Sequence, residues 1–317
     1  MNIRMCTPND YASAVAIRNT LYPNRPTTVQ AWLEGDQQRK PEYKRQVWVA
    51  LEGERIVGYG GYDQDAFDYD PQKFYVFVNV LPDEQRQGIG AALYDQVMAD
   101  LARFNPNKSR ADCYEDLPQG IRFAEQRGFK EVFRETPLIL DVITFDPTPY
   151  AGLEDRLRAH DIEIKTVRDL EGDPDRNRKL YDLYWLAFAD VPQEGVVTPI
   201  PFEEWVNWSL LYPGASPDNY FVAVCGEDYV GLSEFARKPD TDIVQGGLVG
   251  VRREFRGRGI ALALQVRAIL YAHKIGCASI ETSTSITNVP MRSLYERLGF
   301  VRQPDWLQME KNCPPAE

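Results

Sequence analysis

The sequence predicts an α/β protein of the α+β type that consists of two tandem domains. The chain has 317 residues, more than most single hydrophobic cores contain, and this length favours about two domains. Short apolar runs typical of β hairpins alternate with stretches of helical periodicity. Landmarks of the first half also recur in the second half at a nearly constant spacing. Together these three observations predict a duplicated domain with a sheet and helices in each copy.

The first half begins with a predicted strand at residues 2–6, followed by a helix whose start is marked by the polar stretch 7–10. Two apolar runs, residues 47–51 and 56–59, flank a Glu-Gly-Glu turn and predict a β hairpin. The remaining predicted elements are a helical piece at 29–33, a strand at 74–80, a helix after Gly90 with apolar residues at every fourth position (Leu93, Val97, Leu101), a strand at 111–114, a helix at 120–127 and a strand at 132–142.

A linker is predicted at residues 146–149, where two prolines in four residues follow a strand. A short helix at 153–159 bridges the halves, so the predicted domains are residues 1–146 and 161–317, with 147–160 between them. The predicted elements of the second half are a strand at 162–167, helices at 178–188 and 202–211, a hairpin of residues 220–224 and 229–232, and a glycine-rich turn within 249–262.

Three landmarks define the repeat between the halves. Trp48-Val49-Ala50 aligns with Phe221-Val222-Ala223 at an offset of 173. Gln85-x-x-Gly88-x-Gly90 aligns with Arg256-x-x-Gly259-x-Ala261 at an offset of 171, and Gly128-Phe129 aligns with Gly299-Phe300 at the same offset. A period of about 170 residues is far longer than a solenoid repeat and indicates a duplicated domain.

The charge of the chain limits its classes of partner. It carries 47 acidic and 36 basic residues, for a formal net charge of −11. Nucleic acids and anionic membranes both require a basic surface, so the sequence predicts neither as a partner. An acidic protein is compatible with a cationic amine substrate. The sequence leaves open whether the chain is a monomer or a homodimer.

The histidines and cysteines do not form a pattern typical of a metal site or a catalytic triad. There are two histidines and five cysteines, without a C-x-x-C pair, so we expect no metal cofactor and reduced thiols. The acidic segment 63–70 lacks the pattern of a calcium loop and is interpreted as a solvated loop, with an amine-attracting lip as the alternative. The N-terminus lacks a signal-peptide pattern, and no run of about 18 apolar residues occurs, so we expect a cytoplasmic protein.

The stretch 249–262 joins the end of a strand, a turn of arginines and glycines, and the start of a helix. Glycines allow the backbone to approach a ligand closely, and the first N–H groups of a helix have no carbonyl partner. The turn also contains Arg252, Arg253, Arg256 and Arg258. These features predict a site for a polyanion, most simply a diphosphate.

Two well-known phosphate-binding motifs fit the turn less well. A Rossmann dinucleotide site has a third glycine, whereas the corresponding positions hold Leu93 and Leu262. Glu281 does lie about 20 residues after the turn, as that fold requires, but in each half the turn follows a hairpin and a further strand. A P-loop is excluded because no Gly-Lys-Ser/Thr sequence is present. A purely structural connection leaves the four arginines unexplained.

The turn resembles the signature of the GNAT superfamily of acyl-CoA-dependent N-acetyltransferases, which is Gln or Arg, two residues, Gly, one residue, then Gly or Ala. Both Arg256-x-x-Gly259-x-Ala261 and Gln85-x-x-Gly88-x-Gly90 match it. Residues 288–300 resemble the late segment of the family, an Asn, a helix with a Tyr, and then Leu-Gly-Phe. The resemblance covers the chain as two tandem copies. It implies that each domain has a mixed, mostly antiparallel central sheet flanked by helices.

The same resemblance implies an enzyme that moves an acetyl group from acetyl-CoA, as co-substrate, to a primary amine of a small molecule by direct attack in a ternary complex. In the family, backbone N–H groups of the glycine turn hold the diphosphate, and a backbone N–H of a splayed central strand stabilises the oxyanion. Gly246, Gly247 and Gly250 favour a bulge in that strand. The implied cofactor-binding residues are Val249, Val251, Arg256, Gly257, Arg258, Gly259, Ile260, Ala261 and Asn288.

Two catalytic residues are implied in the second half. Tyr295 matches the position of the tyrosine that protonates the leaving thiolate in the family, although a tyrosine packed in the core would look the same in the sequence. Asn288 likewise fits a helix N-cap as well as a cofactor contact. Glu234, near the end of a β run, is the candidate general base, with Glu281 or a chain of water molecules as alternatives.

The two halves differ in charge and in side chains. Residues 252–258 carry four arginines and one glutamate, a net charge of +3, whereas residues 81–87 carry one arginine and two acids, a net charge of −1. At an offset of 171, the aligned residues are Ala124 for Tyr295 and Leu117 for Asn288. We therefore expect the C-terminal domain to catalyse and the N-terminal domain to be degenerate. A non-catalytic acyl-CoA-binding sensor or scaffold is the alternative, against which Tyr295 and Asn288 argue.

Overall fold

The computed structural model of the chain describes residues 1–64, 69–192, 199–211, 214–239 and 241–313. The chain divides into two compact units. Unit 1 consists of Met1–Val132 with Leu307–Glu317, and unit 2 consists of Phe133–Trp306. This division differs from the boundary that the sequence predicted at residues 146–161. Most of the last strand of the first half, residues 130–141, belongs to unit 2, and most of the last strand of the second half, residues 306–312, belongs to unit 1.

Each strand and helix predicted above has a counterpart in the structure. The strands are β1 (Asn2–Met5), β2 (Gln46–Glu52), β3 (Arg55–Asp63), β4 (Lys73–Val80), β5 (Lys108–Tyr114), β6 (Lys130–Asp141), β7 (Ile162–Thr166), β8 (Tyr220–Cys225), β9 (Asp228–Arg237), β10 (Ile243–Val251), β11 (Ser279–Ser285), β12 (Val301–Arg302) and β13 (Trp306–Asn312). The α-helices are α1 (Tyr11–Leu21), α2 (Val29–Gln38), α3 (Ile89–Leu101), α4 (Pro118–Glu125), α5 (Leu153–Arg158), α6 (Arg176–Phe188), α7 (Phe202–Trp205), α8 (Ile260–Lys274) and α9 (Val289–Arg297).

The sheet of unit 1 has the strand order β1-β2-β3-β4-β5-β13. The first four strands pair antiparallel with their neighbours, and β4 pairs in parallel with β5 through residues 73–75 and 108–110. Helix α3 packs against β2, β3 and β4. Its residues Leu93, Val97 and Leu101 are fully buried, which confirms the helical face predicted from their spacing.

The sheet of unit 2 has the strand order β6-β11-β10-β9-β8-β7, and β12 also pairs with β6. Strands β10 and β11 are parallel, through residues 243–245 and 279–281, and the other pairs are antiparallel. Helix α8 packs its apolar face against β8, β9 and β10. Each unit is therefore a mixed, mostly antiparallel sheet flanked by helices, as the sequence predicted.

Strand β10 contains a β-bulge that β4 of unit 1 lacks. Gly246 pairs with Phe235 and Val249 with Ser233, so that Gly247 and Leu248 both lie opposite Glu234. A Cβ atom at residue 247 would lie 3.0 Å from Glu234 Cβ, a tight contact, so the bulge favours glycine there. In β4 the pairing with β3 is unbroken from residue 75 to residue 80. The bulge predicted from the glycines is confirmed in unit 2.

We expect Gly250→Ala to destabilise unit 2 by about 1–3 kcal/mol, the usual cost of overpacking a well-packed site. The added Cβ would lie 2.3 Å from Ala187 Cβ on α6, and that helix would have to move. Gly172→Ala is the matched control, because nothing lies within 4 Å of its added Cβ. Urea unfolding followed by circular dichroism measures both variants. Equal unfolding midpoints for the two variants would contradict the packing of α6 on β10.

Candidate active site

The glycine turn after β10 presents backbone to open space. Gly257 and Gly259 have φ angles of +77° and +83°, values that residues with a Cβ rarely adopt. A Cβ atom at residue 257 would meet nothing within 4 Å. Gly259 is the N-cap of α8, so the N–H groups of the first turn from Ile260 onward have no carbonyl partner within the helix. The turn therefore has the backbone geometry of an anion site.

The first residue of the motif braces the turn against its own strand. Arg256 Nε donates to the carbonyl oxygen of Val251 at 2.9 Å. In unit 1 the Nε2 of Gln85 donates to the carbonyl oxygen of Val80 at 3.0 Å. Arg256 and Val251 each lie 171 positions after their counterparts Gln85 and Val80, so the same hydrogen bond occurs in both units. Arg256 thus braces the turn with its side chain, and its backbone N–H donates to the carbonyl oxygen of Arg253 at 3.2 Å.

Asp190, to which no sequence pattern pointed, neutralises part of the charge at the turn. It accepts hydrogen bonds from Arg253 and Arg256, and these bonds lower the pKa of its carboxyl to about 2. Counting Asp190 reduces the net charge from +3 to +2. In unit 1, Arg55 pairs with Glu84 at 3.1 Å and raises the count from −1 to 0. With these two partners counted, the net charges of the two turns differ by two units, whereas the turn residues alone differ by four.

Two arginines at the turn have no carboxylate partner among the described residues. Arg258 is exposed, its Nη2 donates to the carbonyl oxygen of Glu254 at 3.3 Å, and its guanidinium lies 5.0 Å from the centre of the Phe255 ring. The Nε of Arg252 is buried without a hydrogen-bond partner. The exposed guanidinium of Arg258 is therefore available to an anion at the turn, and Arg252 has an unused N–H donor.

The remaining predicted cofactor residues lie on the elements around the turn. Val249 and Val251 pair with Ser233 and Gly231 of β9. Ile260 is buried in the core, and Ala261 packs against it.

Glu234 lies opposite the bulge and is partly buried. Ser209 Oγ donates to its Oε1 at 2.6 Å, and the N–H of Leu248 donates to its Oε2 at 3.2 Å. Loss of hydration raises the pKa of Glu234 to about 7, although these hydrogen bonds oppose the shift. A carboxyl group with this pKa exchanges protons near neutral pH, which suits a general base.

Glu234 lines a cavity of about 680 Å³ in unit 2. A π-helical turn at Val206–Leu210, which continues α7, brings Trp208 and Ser209 to this cavity. Turns of this kind occur frequently at functional sites. No sequence signal pointed to Ser209, because the pattern in this region predicted an ordinary helix. The bulge residues Gly247 and Leu248 line the same cavity.

Tyr295 is buried in the core of unit 2, next to the place where β10 and β11 separate. Its hydroxyl lies 3.4 Å from Thr282 Oγ1. Thr282 follows Glu281, the last residue of β11 that pairs with β10, and a Cβ atom at Gly246 would lie 3.2 Å from that same Oγ1. Burial raises the pKa of Tyr295, so its hydroxyl stays protonated and can donate a proton. Glu234 and Tyr295 therefore flank the segment Gly246–Leu248.

The two other candidate residues have structural partners. Asn288 is the N-cap of α9, and its Oδ1 accepts from the N–H of Met291 at 3.4 Å. Glu281 forms an ion pair with Lys238. The alternative base is thus neutralised by a lysine, whereas no cationic side chain of the described residues pairs with Glu234.

Unit 1 retains a cavity at its glycine turn, with a volume of about 550 Å³. Ala124 and Leu117, which replace Tyr295 and Asn288, line it. So do Arg122 and Arg127 of the α4 region, two positive charges that the count over residues 81–87 did not include. The cavity combines basic side chains with a glycine turn, but it has neither a bulged strand nor a tyrosine at the aligned position.

Three further sequence predictions concern acidic residues, metals and membranes. Asp63 pairs with Arg39 and Arg45, and the predicted acidic loop residues Asp65 and Asp68 lie outside the described residues. Within the described ranges, no three His, Cys, Asp or Glu side chains form a group that could hold a metal ion. The described helices are all too short or too polar to cross a membrane.

Comparison with known proteins identifies the family. The sequence model described as the acetyltransferase (GNAT) family matches residues 14–129 and 177–300. Among curated relatives, a mycothiol acetyltransferase of Catenulispora acidiphila is 25% identical over 263 residues, covering 80% of this chain and 77% of the relative. A mycothiol acetyltransferase of Propionibacterium freudenreichii is 22% identical over 258 residues, covering 80% of this chain and 73% of the relative.

Solved structures share the fold over the whole chain. A GCN5-related N-acetyltransferase from Sphaerobacter thermophilus gives a TM-score of 0.72 at 20% identity and covers 100% of this chain and 97% of that one. A tandem GNAT protein from the clavulanic acid biosynthesis pathway gives a TM-score of 0.70 at 17% identity, and the match covers 100% of this chain and 99% of that one. At these identities the likeness concerns the fold, and it confirms the predicted tandem arrangement.

We expect Asp190→Asn to lower the thermal unfolding midpoint at pH 7 by roughly 1–4 °C, since its partners are largely exposed. The pKa of Asp190 in the folded protein, about 2, lies below the usual 3.8. Its contribution to stability is therefore present above pH 4 and is lost as the pH falls towards 2. The difference between wild type and variant should shrink at pH 3. Asp182→Asn, which removes an exposed pair with Arg178 on α6, is the control and should change little. A difference that does not depend on pH would count against the ion pair.

Proposed function

We propose that this chain, which belongs to the acetyltransferase (GNAT) family, moves an acetyl group from acetyl-CoA to a primary amine of a small molecule, and that unit 2 carries out the transfer. The observation that carries the proposal is the bulge in β10. It places the partly buried carboxyl of Glu234 against a strand that leads directly to the glycine turn. Unit 1 has the turn without the bulge.

The residues of unit 2 fit the binding of acetyl-CoA, which when bound supplies an activated acetyl thioester. The backbone N–H groups of Gly257, Arg258, Gly259, Ile260 and Ala261 would hold its diphosphate. The open space beside residue 257 and the unpartnered Arg252 Nε support this assignment. Val249, Val251 and Asn288 would flank the rest of the molecule.

Glu234 is the proposed general base. A primary amine is mostly protonated at neutral pH and must lose a proton before it can attack directly in a ternary complex. Glu234 can accept that proton because its pKa, about 7, is much closer to neutral pH than the usual 4.5. Protonation also weakens the hydrogen bond from the Leu248 N–H, which leaves this donor available to negative charge that develops at the reacting carbonyl.

Tyr295 is the proposed general acid. Its hydroxyl stays protonated in the core and lies beside the separation of β10 and β11. From there it would donate a proton to the departing thiolate. The segment Gly246–Leu248 would then have the base on one side and the acid on the other.

The relatives support a small-molecule acceptor. Mycothiol acetyltransferases match most of this chain at 22–25% identity. At this identity the acceptor of this chain has to be inferred from the residues of its own cavity. For unit 1 we propose a non-catalytic role, as a scaffold or as a binder at its 550 Å³ cavity. A cytoplasmic location is part of the proposal, since acetyl-CoA is available there.

The assignment of catalysis to unit 2 predicts different effects for one substitution at two repeated positions. Gly259 and Gly88 are both helix N-caps, with φ angles of +83° and +86°, so valine introduces the same backbone strain at each. Gly259→Val should lower kcat/KM for acetyl-CoA at least 100-fold, whereas Gly88→Val should change it less than threefold. Thiol release in the presence of amines is the measurement, with circular dichroism as the check on folding. Loss of activity only in Gly88→Val would assign catalysis to unit 1.

The proposed base predicts a pH profile. Wild-type kcat/KM should rise with pH up to about 7, and Glu234→Gln should lower it about 10²–10⁴-fold and remove this limb. Glu281→Gln is the matched control and should keep both the activity and the limb. If Glu281→Gln is the inactive variant, the base is Glu281.

The pH dependence of stability gives a second measurement of the raised pKa of Glu234. The pKa of Glu234 is higher in the folded protein than the usual 4.5, so the folded state holds the proton more tightly. The stability of the wild type should therefore fall as the pH rises from about 4.5 to 7. In Glu234→Gln this fall should be absent, as measured by urea unfolding at pH 5 and pH 8. An equal fall in both proteins would show that the carboxyl is not buried.

A further inference from the structure

The wall of the 680 Å³ cavity in unit 2 is mainly apolar and aromatic. Of the described residues around it, the rings of Tyr184, Trp208, Tyr220 and Phe235 line it together with aliphatic side chains that include Leu210 and Leu211. A volume of this size matches a small-molecule site. Because the bulge and Glu234 lie in the same wall, this is the space in which an acceptor would meet the base.

The mouth of the cavity keeps two large apolar side chains in contact with solvent. Trp208 is 43% exposed and Leu211 is 68% exposed, and both line the cavity. Apolar surface of this kind gains free energy when a ligand covers it, about 25 cal/mol for each Å² removed from water. Two such residues at one opening indicate a ligand with an apolar part.

The charged residues at the rim already have partners within the protein. Arg176 donates to the carbonyl oxygen of Val167 at 3.3 Å, and Arg237 donates to that of Thr241 at 2.9 Å. Lys238 pairs with Glu281, and Glu171 accepts from Arg168 at 3.4 Å. These contacts occupy part of the hydrogen-bonding capacity of each charged side chain.

Two polar groups of the cavity wall lie on the paired strands β8 and β9. One is the carboxyl of Glu234, which has no cationic partner among the described residues. The other is the hydroxyl of Tyr220, a residue that pairs with Glu234 across β8 and β9. Tyr220 is 5% exposed, and its hydroxyl lies within reach of Ser209 and Glu234 without an ideal hydrogen bond to either. A buried hydroxyl with imperfect partners gains from a further polar group beside it.

We infer that the acceptor is a primary amine on a short apolar body, aromatic or aliphatic, whose nitrogen lies beside Glu234 and Tyr220 and whose body lies against Trp208 and Leu211. This inference rests on the proposed function and adds the class of acceptor to it. The faces of Tyr184 and Trp208 also favour an ammonium group over an anion. Amino sugars and polyamines carry further polar groups, which would have to lie against the apolar part of this wall.

A panel of amines tests the class of acceptor. With saturating acetyl-CoA, kcat/KM for 2-phenylethylamine should exceed that for glucosamine and for spermidine at least tenfold. Turnover that favours glucosamine or spermidine would overturn the inference and leave the acetyl transfer intact. If no amine is turned over, the proposed function fails. The class of ligand that the cavity prefers is then decided by the binding of the amines alone. In that case, calorimetric titration without acetyl-CoA should give tighter binding of 2-phenylethylamine than of glucosamine, and the reverse order would overturn it.

A pair of leucine substitutions tests where the apolar body binds. Leu211→Gln should raise KM for 2-phenylethylamine about three- to tenfold, with kcat and the KM for acetyl-CoA unchanged, because the residue contacts the body and not the reacting nitrogen. Leu270→Gln on α8, a leucine that is 42% exposed and does not line the cavity, is the matched control and should leave all three values unchanged. Equal KM values for the two variants would overturn the placement at the mouth.

Tyr220→Phe tests the nitrogen end of the same cavity. Removal of the hydroxyl should weaken the binding of 2-phenylethylamine about threefold or more in the calorimetric titration without acetyl-CoA. The binding of acetyl-CoA alone should not change. An unchanged affinity for the amine would overturn the role of this hydroxyl.

Discussion

The bulge in β10 is the constraint on which the arrangement of unit 2 depends. A regular strand uses its N–H and carbonyl groups in hydrogen bonds to its neighbours. With two residues opposite one, β10 instead directs the N–H of Leu248 to the carboxyl of Glu234. The lack of a side chain at residue 247 makes this approach sterically allowed. The hydrogen bond to the Glu234 carboxyl and the part of the cavity wall formed by Gly247 and Leu248 follow from this one inserted residue.

The two units differ more in this strand than in the glycine turn. Both turns are braced by the first residue of the motif, and both end in a left-handed glycine. The charge difference between them is smaller than the local sequence indicates, because Asp190 and Arg55 reduce it from both sides. In β4, side chains stand at all three positions that are glycine in β10, namely Tyr75, Val76 and Asn79. Unit 1 therefore retains the features of an anion site. It lacks the bulge that, in unit 2, brings the Glu234 carboxyl to the strand before the turn.

Features that depend on neighbours in sequence were predictable. The apolar face of α3, the left-handed glycines before α3 and α8, and the bulge follow from residue types within a few positions of one another. Asp190 and Ser209 were not predictable, because they reach Arg253 and Glu234 from 63 and 25 residues away. The division into compact units was not predictable for the same reason, since the pairing of β6 with β11 joins parts of the chain that are far apart in sequence. For Tyr295 and Asn288 the sequence left a structural and a functional role open, and their burial and capping bonds fit both.

The exchange of closing strands has a consequence for the order in which the protein is made. Unit 1 needs β13, yet the whole of unit 2, from Phe133 to Trp306, is synthesised between the two parts of unit 1. At about 5–20 residues per second, the edge of β5 waits roughly 9–35 s for its partner. Meanwhile β6, which emerges next from the ribosome, is available as a competing strand. An unpaired edge of this kind invites wrong pairing between chains, so the N-terminal half is the part of this protein most in need of protection during synthesis.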